Sequence, residues 1–189
     1  MCKLGHNNCK KLVTMKKLYT LLFLGAALGI KAQSVPSTYA ADFKLVWAAA
    51  TKYYKTDKTG ECKALDSKQF KQECPCKSSF QNAQVSQLVI DKDEVLNHHV
   101  VFDGGSSKET ALATLRKFID ATKPLLPPKF KESKTIDMGY ADQNAYKVEY
   151  DSEVFAEVAK KPSLVFGIKE KDGKYTVDIL VMAPVFTFD

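Results

Sequence analysis

From Tyr175 onward, apolar side chains fall on every second position: Tyr175, Val177, Ile179 and Val181 alternate with Thr176, Asp178 and Leu180. A period of two puts the first four on one face of an extended strand. The segment before it, "SLVFGIKE", is joined to it by "KDGK", and an Asp172-Gly173 pair suits a tight hairpin turn. The same period recurs in "AYKVEY", where Tyr146, Val148 and Tyr150 share a face opposite Lys147 and Glu149. Upstream, "VSQLVI" (Val85–Ile90) and "HHVVFD" (His98–Asp103) flank the charged turn "DKDEVLN", which predicts a second hairpin. "TIDMG" (Thr135–Gly139) is the remaining strand candidate.

Elsewhere the period lengthens. In "STYAADFKLVWAAATKYY" (Ser37–Tyr54), Phe43, Val46, Trp47, Ala50 and Tyr54 recur at three- and four-residue steps, so a helix is expected, capped by Ser37. "DGGSSKETALATLRKFIDAT" reads as a strand-to-helix junction. Ser106 is the expected cap, Glu109 completes a capping box, and Leu112, Leu115, Phe118 and Ile119 form the buried stripe. Pro124, Pro127 and Pro128 end that helix, and "DSEVFAEVAKK" predicts a short one capped by Asp151 or Ser152. Short connections within strand pairs favour antiparallel pairing. The expected fold is therefore α+β, with a mostly antiparallel sheet of about six strands and helices packed on one face.

Residues 55–80 break both periods. "KTDKTGECKALDSKQFKQECPCKSS" is polar with scattered apolar residues, and reads as a long loop with one helical turn around Ser67–Lys71. Loops of this length in a small domain are usually functional or stapled.

The N-terminus has another character. From Met15, "MKKLYTLLFLGAALGIKAQS" places Lys16 and Lys17 before an uncharged apolar run, Leu18–Gly29, which is followed by Ile30-Lys31-Ala32, read as a cleavage site with Ala at its last position. That is the layout of a bacterial secretory signal peptide, and the run is shorter than the ~20 residues of a membrane span. Residues 1–32 are accordingly read as an N-terminal extension plus a cleaved signal, with Met15 an alternative start. Residues 33–189 are read as one exported globular domain, periplasmic or extracellular, with no stable membrane insertion after cleavage. This division changes the charge picture. The formal net charge is +6, from 28 basic and 22 acidic residues, but six lysines and no acid lie in residues 1–32. The remaining 22 basic residues balance the 22 acidic ones. Nucleic-acid binding needs a net basic face, and with Arg116 the only arginine, bidentate phosphate clamps are close to excluded.

Cys62, Cys74 and Cys76 are the cysteines of residues 33–189. In an oxidising compartment a disulfide is the first reading, with Cys62 joined to Cys74 or Cys76 and the odd sulfur left over. Bridging Cys74 to Cys76 across one proline would be strained. A soft-metal site from these cysteines with His98 or His99 needs distant loops to converge, because one residue between sulfurs departs from the usual C-x2-C spacing. No metal or other cofactor is expected. His98 and His99, adjacent on a strand, point to opposite faces, so at most one serves any given site. Ser106, Ser107 and Cys76 are conceivable nucleophiles, yet no catalytic frame surrounds them. "DGGSS" is read as turn chemistry and "DKDE" as a solvated turn. Tyr53, Tyr54, Phe70 and Phe80 flank the cysteine loop and form a candidate contact patch. Together these features favour an exported, non-catalytic binding protein, such as an inhibitor, an immunity-type protein or a recognition module, whose partner is a protein or a small molecule. The competing readings are a small hydrolase using His98 or His99, and a carrier of a small ligand or metal.

Overall fold

Eight strands pair in one sheet in the order β1-β2-β3-β4-β8-β7-β6-β5, every neighbouring pair antiparallel. The computed structural model describes residues 32–67, 69–135 and 145–185, all within one compact unit, Ala32–Asp189. In chain order the elements are α1 (Tyr39–Ala50), β1 (Lys63–Ala64), β2 (Phe70–Cys74), β3 (Val85–Asp91), β4 (Leu96–Gly105) and α2 (Lys108–Thr122). A 3-10 turn (Lys123–Leu125) leads to β5 (Phe130–Thr135), β6 (Ala145–Tyr150), α3 (Phe155–Val158), β7 (Ser163–Lys171) and β8 (Lys174–Met182).

The α+β class and the antiparallel sheet agree with the sequence reading, but among the described residues there are eight strands where about six were expected. The two extra strands, β1 and β2, lie inside the segment read as a loop. β5 also starts earlier than its sequence pattern, at Phe130, and residues 136–139 of the expected strand lie outside the described residues.

The helices cover one face. Tyr39, Phe43, Val46 and Ala50 of α1 and Ala111, Leu115, Phe118 and Ile119 of α2 meet Leu88, Val100, Phe102, Leu164, Phe166, Ile168, Val177, Ile179 and Val181 of the sheet. Stacked rings of Phe102 and Phe118, 4.4 Å apart, mark its centre. Tyr39 is buried there, and its hydroxyl lies 2.6 Å from Thr122 Oγ1, which itself donates to the Phe118 carbonyl.

The second face carries a smaller cluster, Phe70, Val89, Val165 and Leu180. The segment leading into β2 folds across it: Lys169 Nζ of β7 donates to Gln69 Oε1, although β3, β4 and β8 lie between β2 and β7 in the sheet. This fold-over helps to cover the small cluster on the second face, where no helix among the described residues packs.

Two junctions show the local rules at work. At the β7–β8 turn, Asp172 and Gly173 both take positive φ (53° and 75°), the left-handed pair that matches strand twist. At the end of β4, the pairing with β8 slips between Asp103 and Gly105, a β-bulge. A Cβ on the intervening Gly104 would sit 2.9 Å from the Tyr175 carbonyl oxygen. The α2 cap is Ser107, one residue later than expected; its Oγ accepts from Thr110 N at 3.2 Å. Glu109 therefore falls at the second helical position, one short of the place a capping box requires.

Candidate functional site

Two consecutive aromatic residues, Tyr53 and Tyr54, hold positive φ (56° and 53°) just after α1. Left-handed backbone is unfavourable for bulky side chains, and burial of Tyr54 stabilises it here. The Tyr54 ring is 1% exposed and its hydroxyl donates to the Val181 carbonyl at 2.9 Å. The reversal sends the chain back under β2 and places Asp57 against the segment Pro75–Ser78. Thr59 N donates to Pro75 O, Lys77 N donates to Asp57 O, and Lys58 bridges Cys76 in antiparallel fashion. Asp57 Oδ1 accepts from both Ser78 N (2.9 Å) and Ser78 Oγ (2.7 Å).

Among the described residues the cysteines divide as one disulfide and one thiol. Cys62 and Cys74 are bonded, and Cys76 is free and half-buried, its Sγ donating to the Ser78 carbonyl at 3.1 Å. Burial, reinforced by the Asp57 charge, pushes the Cys76 thiol up from its ordinary value despite a backbone hydrogen bond at Leu88.

His98 rises into the same place from β4. Its ring is fully buried, with the rings of Tyr54 and Phe80 each 6.2 Å away. Nε2 lies 2.9 Å from Ser86 Oγ, which also accepts from Phe80 N. Burial holds the imidazole neutral, with its pKa lowered to about 4 although Asp57 pulls the other way. One donor atom each from Asp57, Cys76 and His98 lies within 4.8 Å of the other two. Among the described residues, three buried side-chain polar atoms have no hydrogen-bond partner, and two belong to this cluster: Asp57 Oδ2 and His98 Nδ1.

His99 faces the other side, as strand geometry requires. Its Nε2 is 3.1 Å from Asp178 Oδ2, and Asp178 is also bonded by Thr176 Oγ1 and Lys169. Burial alone would raise the Asp178 carboxyl, but these three partners outweigh it and hold it below the usual range. Ser106 is exposed at the β4–α2 turn, and at about 3.3 Å per residue the eight residues from His98 carry it over 20 Å away. The expected contact patch does not form: Tyr54, Phe70 and Phe80 are buried and Tyr53 is half-buried, because Tyr53, Tyr54 and Phe80 pack with the main core while Phe70 packs on the opposite face of the sheet.

At the level of sequence Cys76 and His98 come together only in the soft-metal reading, which required distant loops to converge, and nothing there singles out Asp57 or Ser86. In "KTDKTG", Asp57 reads as one more solvated loop acid, and only the reversal at Tyr53-Tyr54 carries it inward. Among the described residues no helix is long and apolar enough to cross a membrane. No protein-family model matches this chain, and neither the curated proteins nor the solved structures searched include a match.

Proposed function

We propose that the protein is an exported, non-catalytic binding protein. The observation that carries the non-catalytic part is the complete burial of His98. A general base must come within hydrogen-bonding reach of the proton it removes, and a ring sealed under Tyr54 and Phe80, with Nε2 on Ser86, does not meet a substrate. His99 is likewise engaged, with Asp178.

What supports binding is the construction of residues 57–78. Asp57 and Cys74 are buried anchors, whereas Lys58–Glu61, Lys63 and Ala64 face solvent. The disulfide and the Asp57–Ser78 bonds fix this exposed stretch before any partner arrives. A preorganised loop loses little conformational entropy on binding, so more of its contact energy becomes affinity. The disulfide also fits an oxidising compartment outside the cytoplasm.

The test has two arms. N-terminal sequencing of the exported form should begin at Gln33; an intact chain retained in the cytoplasm contradicts export. Affinity capture from the producing cell's envelope should recover a saturable partner whose retention drops at least tenfold when the staple is removed by C62A/C74A. Recovery of nothing saturable in repeated trials overturns the binding assignment.

A further inference from the structure

The cluster of Asp57, Cys76 and His98 asks for something the protein itself does not provide. Leaving a buried donor or acceptor unpaired costs about 1–3 kcal/mol, and here two such atoms, Asp57 Oδ2 and His98 Nδ1, belong to side chains that converge with a free thiol. Asp57 and His98 are more than nine-tenths buried. The contact of His99 with Asp178 is by contrast completed by Thr176 and Lys169.

We propose that Asp57, Cys76 and His98 form a binding site for a borderline divalent transition-metal ion, with zinc as the reference. The donor set selects the ion. One sulfur and one imidazole nitrogen are poor partners for calcium or magnesium, which take oxygen shells, whereas sulfur, nitrogen and carboxylate oxygen together suit zinc. Charge balances as well: a thiolate and a carboxylate offset the 2+ ion in a buried place, with the imidazole neutral. On binding, the Cys76 S–H bond breaks, its proton goes to bulk water, and the sulfur electron pair forms the metal–sulfur bond. With Nε2 at Ser86, Nδ1 is the His98 nitrogen left to ligate. Ser86 then orients the ring, and Ser78 orients the carboxylate through Asp57 Oδ1; such outer partners fix ligand geometry. Metal–ligand bonds of about 2.0–2.3 Å require donor separations near 3.5 Å in a tetrahedron, so a cluster within 4.8 Å closes by side-chain shifts of roughly 1 Å. Three protein ligands leave the fourth position of the tetrahedron to a water molecule. The inference does not depend on which partner the exposed loop binds, since an ion here would tie Asp57 to Cys76 in any case.

The test uses the full chain carrying C2S and C9S, which removes the two thiols of the N-terminal segment, with the disulfide kept oxidised. Titration with cobalt(II) should saturate at one ion per chain and give a thiolate-to-metal charge-transfer absorption that zinc abolishes and calcium does not. Calorimetry in buffers of different ionisation enthalpy should show about one proton released per zinc. C76S alters a single atom at a half-exposed position. It should keep the far-ultraviolet dichroism, lose the charge-transfer band and weaken zinc at least about 100-fold. Absence of saturable binding below millimolar metal, cobalt bound without the thiolate band, or zinc affinity unchanged in C76S would each overturn the proposal. Partner capture is read separately, so failure here leaves the binding assignment standing.

Discussion

His98 is a titratable ring set on a central strand among groups that favour its neutral form. Tyr54 and Phe80 enclose it, Ser86 binds Nε2, and His99 follows it in the chain; Asp57 is the single acid that opposes the shift. In the unfolded chain this imidazole takes up its proton near pH 6.5, whereas the folded protein holds off until about pH 4. Between those values the unfolded state binds more protons, so stability rises with pH. The contribution is complete above about pH 6.5 and is lost as pH falls toward 4, amounting to about 3 kcal/mol at 1.36 kcal/mol per unit. Urea unfolding of the metal-free protein from pH 7.5 to 4.5 should show this decline, and His98→Gln should flatten it. Equal slopes in both proteins would mean that His98 takes up its proton as readily in the fold as in the unfolded chain. At the same scale, Gly104→Ala should destabilise by about 2 kcal/mol, because the new methyl meets the Tyr175 backbone and not a movable side chain. Thermal unfolding reads this directly, and an unchanged midpoint would show that the bulge relaxes.

Among the elements, the β7–β8 hairpin was the most legible in the sequence. Its alternation, its length and its Asp172-Gly173 turn all specify the same strands, and each cue is local. β1 and β2 were not legible. "FKQEC" has apolar residues only at its ends, so neither period shows, and its pairing with β3 includes a register shift after Phe70. What makes it a strand is long-range: Phe70 packs with Val165 and Leu180, and Cys74 is tied to Cys62. A cap set by one residue, Ser107 in place of Ser106, also depended on the bulge that ends β4 and not on the "GGSS" string itself. The staple should matter energetically in proportion to the loop it closes. Cys62 and Cys74 are 12 residues apart, for which chain-entropy reasoning gives about 3 kcal/mol. C62A/C74A should lower unfolding free energy by that order in urea melts, and a loss below about 1 kcal/mol would show that β2 and the Asp57 bonds hold the segment unaided.

At the scale of the whole molecule, the sheet brings together residues that the chain keeps apart. Asp57 follows the first helix, Cys76 follows β2, and His98 sits on β4; they converge because the Tyr53-Tyr54 reversal turns the chain under the cysteine loop. Two of these three, Cys76 and His98, were visible together in the soft-metal reading that needed distant loops to converge, but no spacing rule links them to Asp57. The same topology puts His99 on the opposite face, where Asp178 completes it. The outcome is a domain in which one sulfur pair staples a presented loop and the third sulfur joins a buried acid and a buried imidazole. X-ray absorption of the zinc-loaded full chain carrying C2S and C9S tests that division most directly. A shell with one sulfur near 2.3 Å and nitrogen or oxygen at about 2.0–2.2 Å is the expected result; a shell of nitrogen and oxygen alone would contradict it.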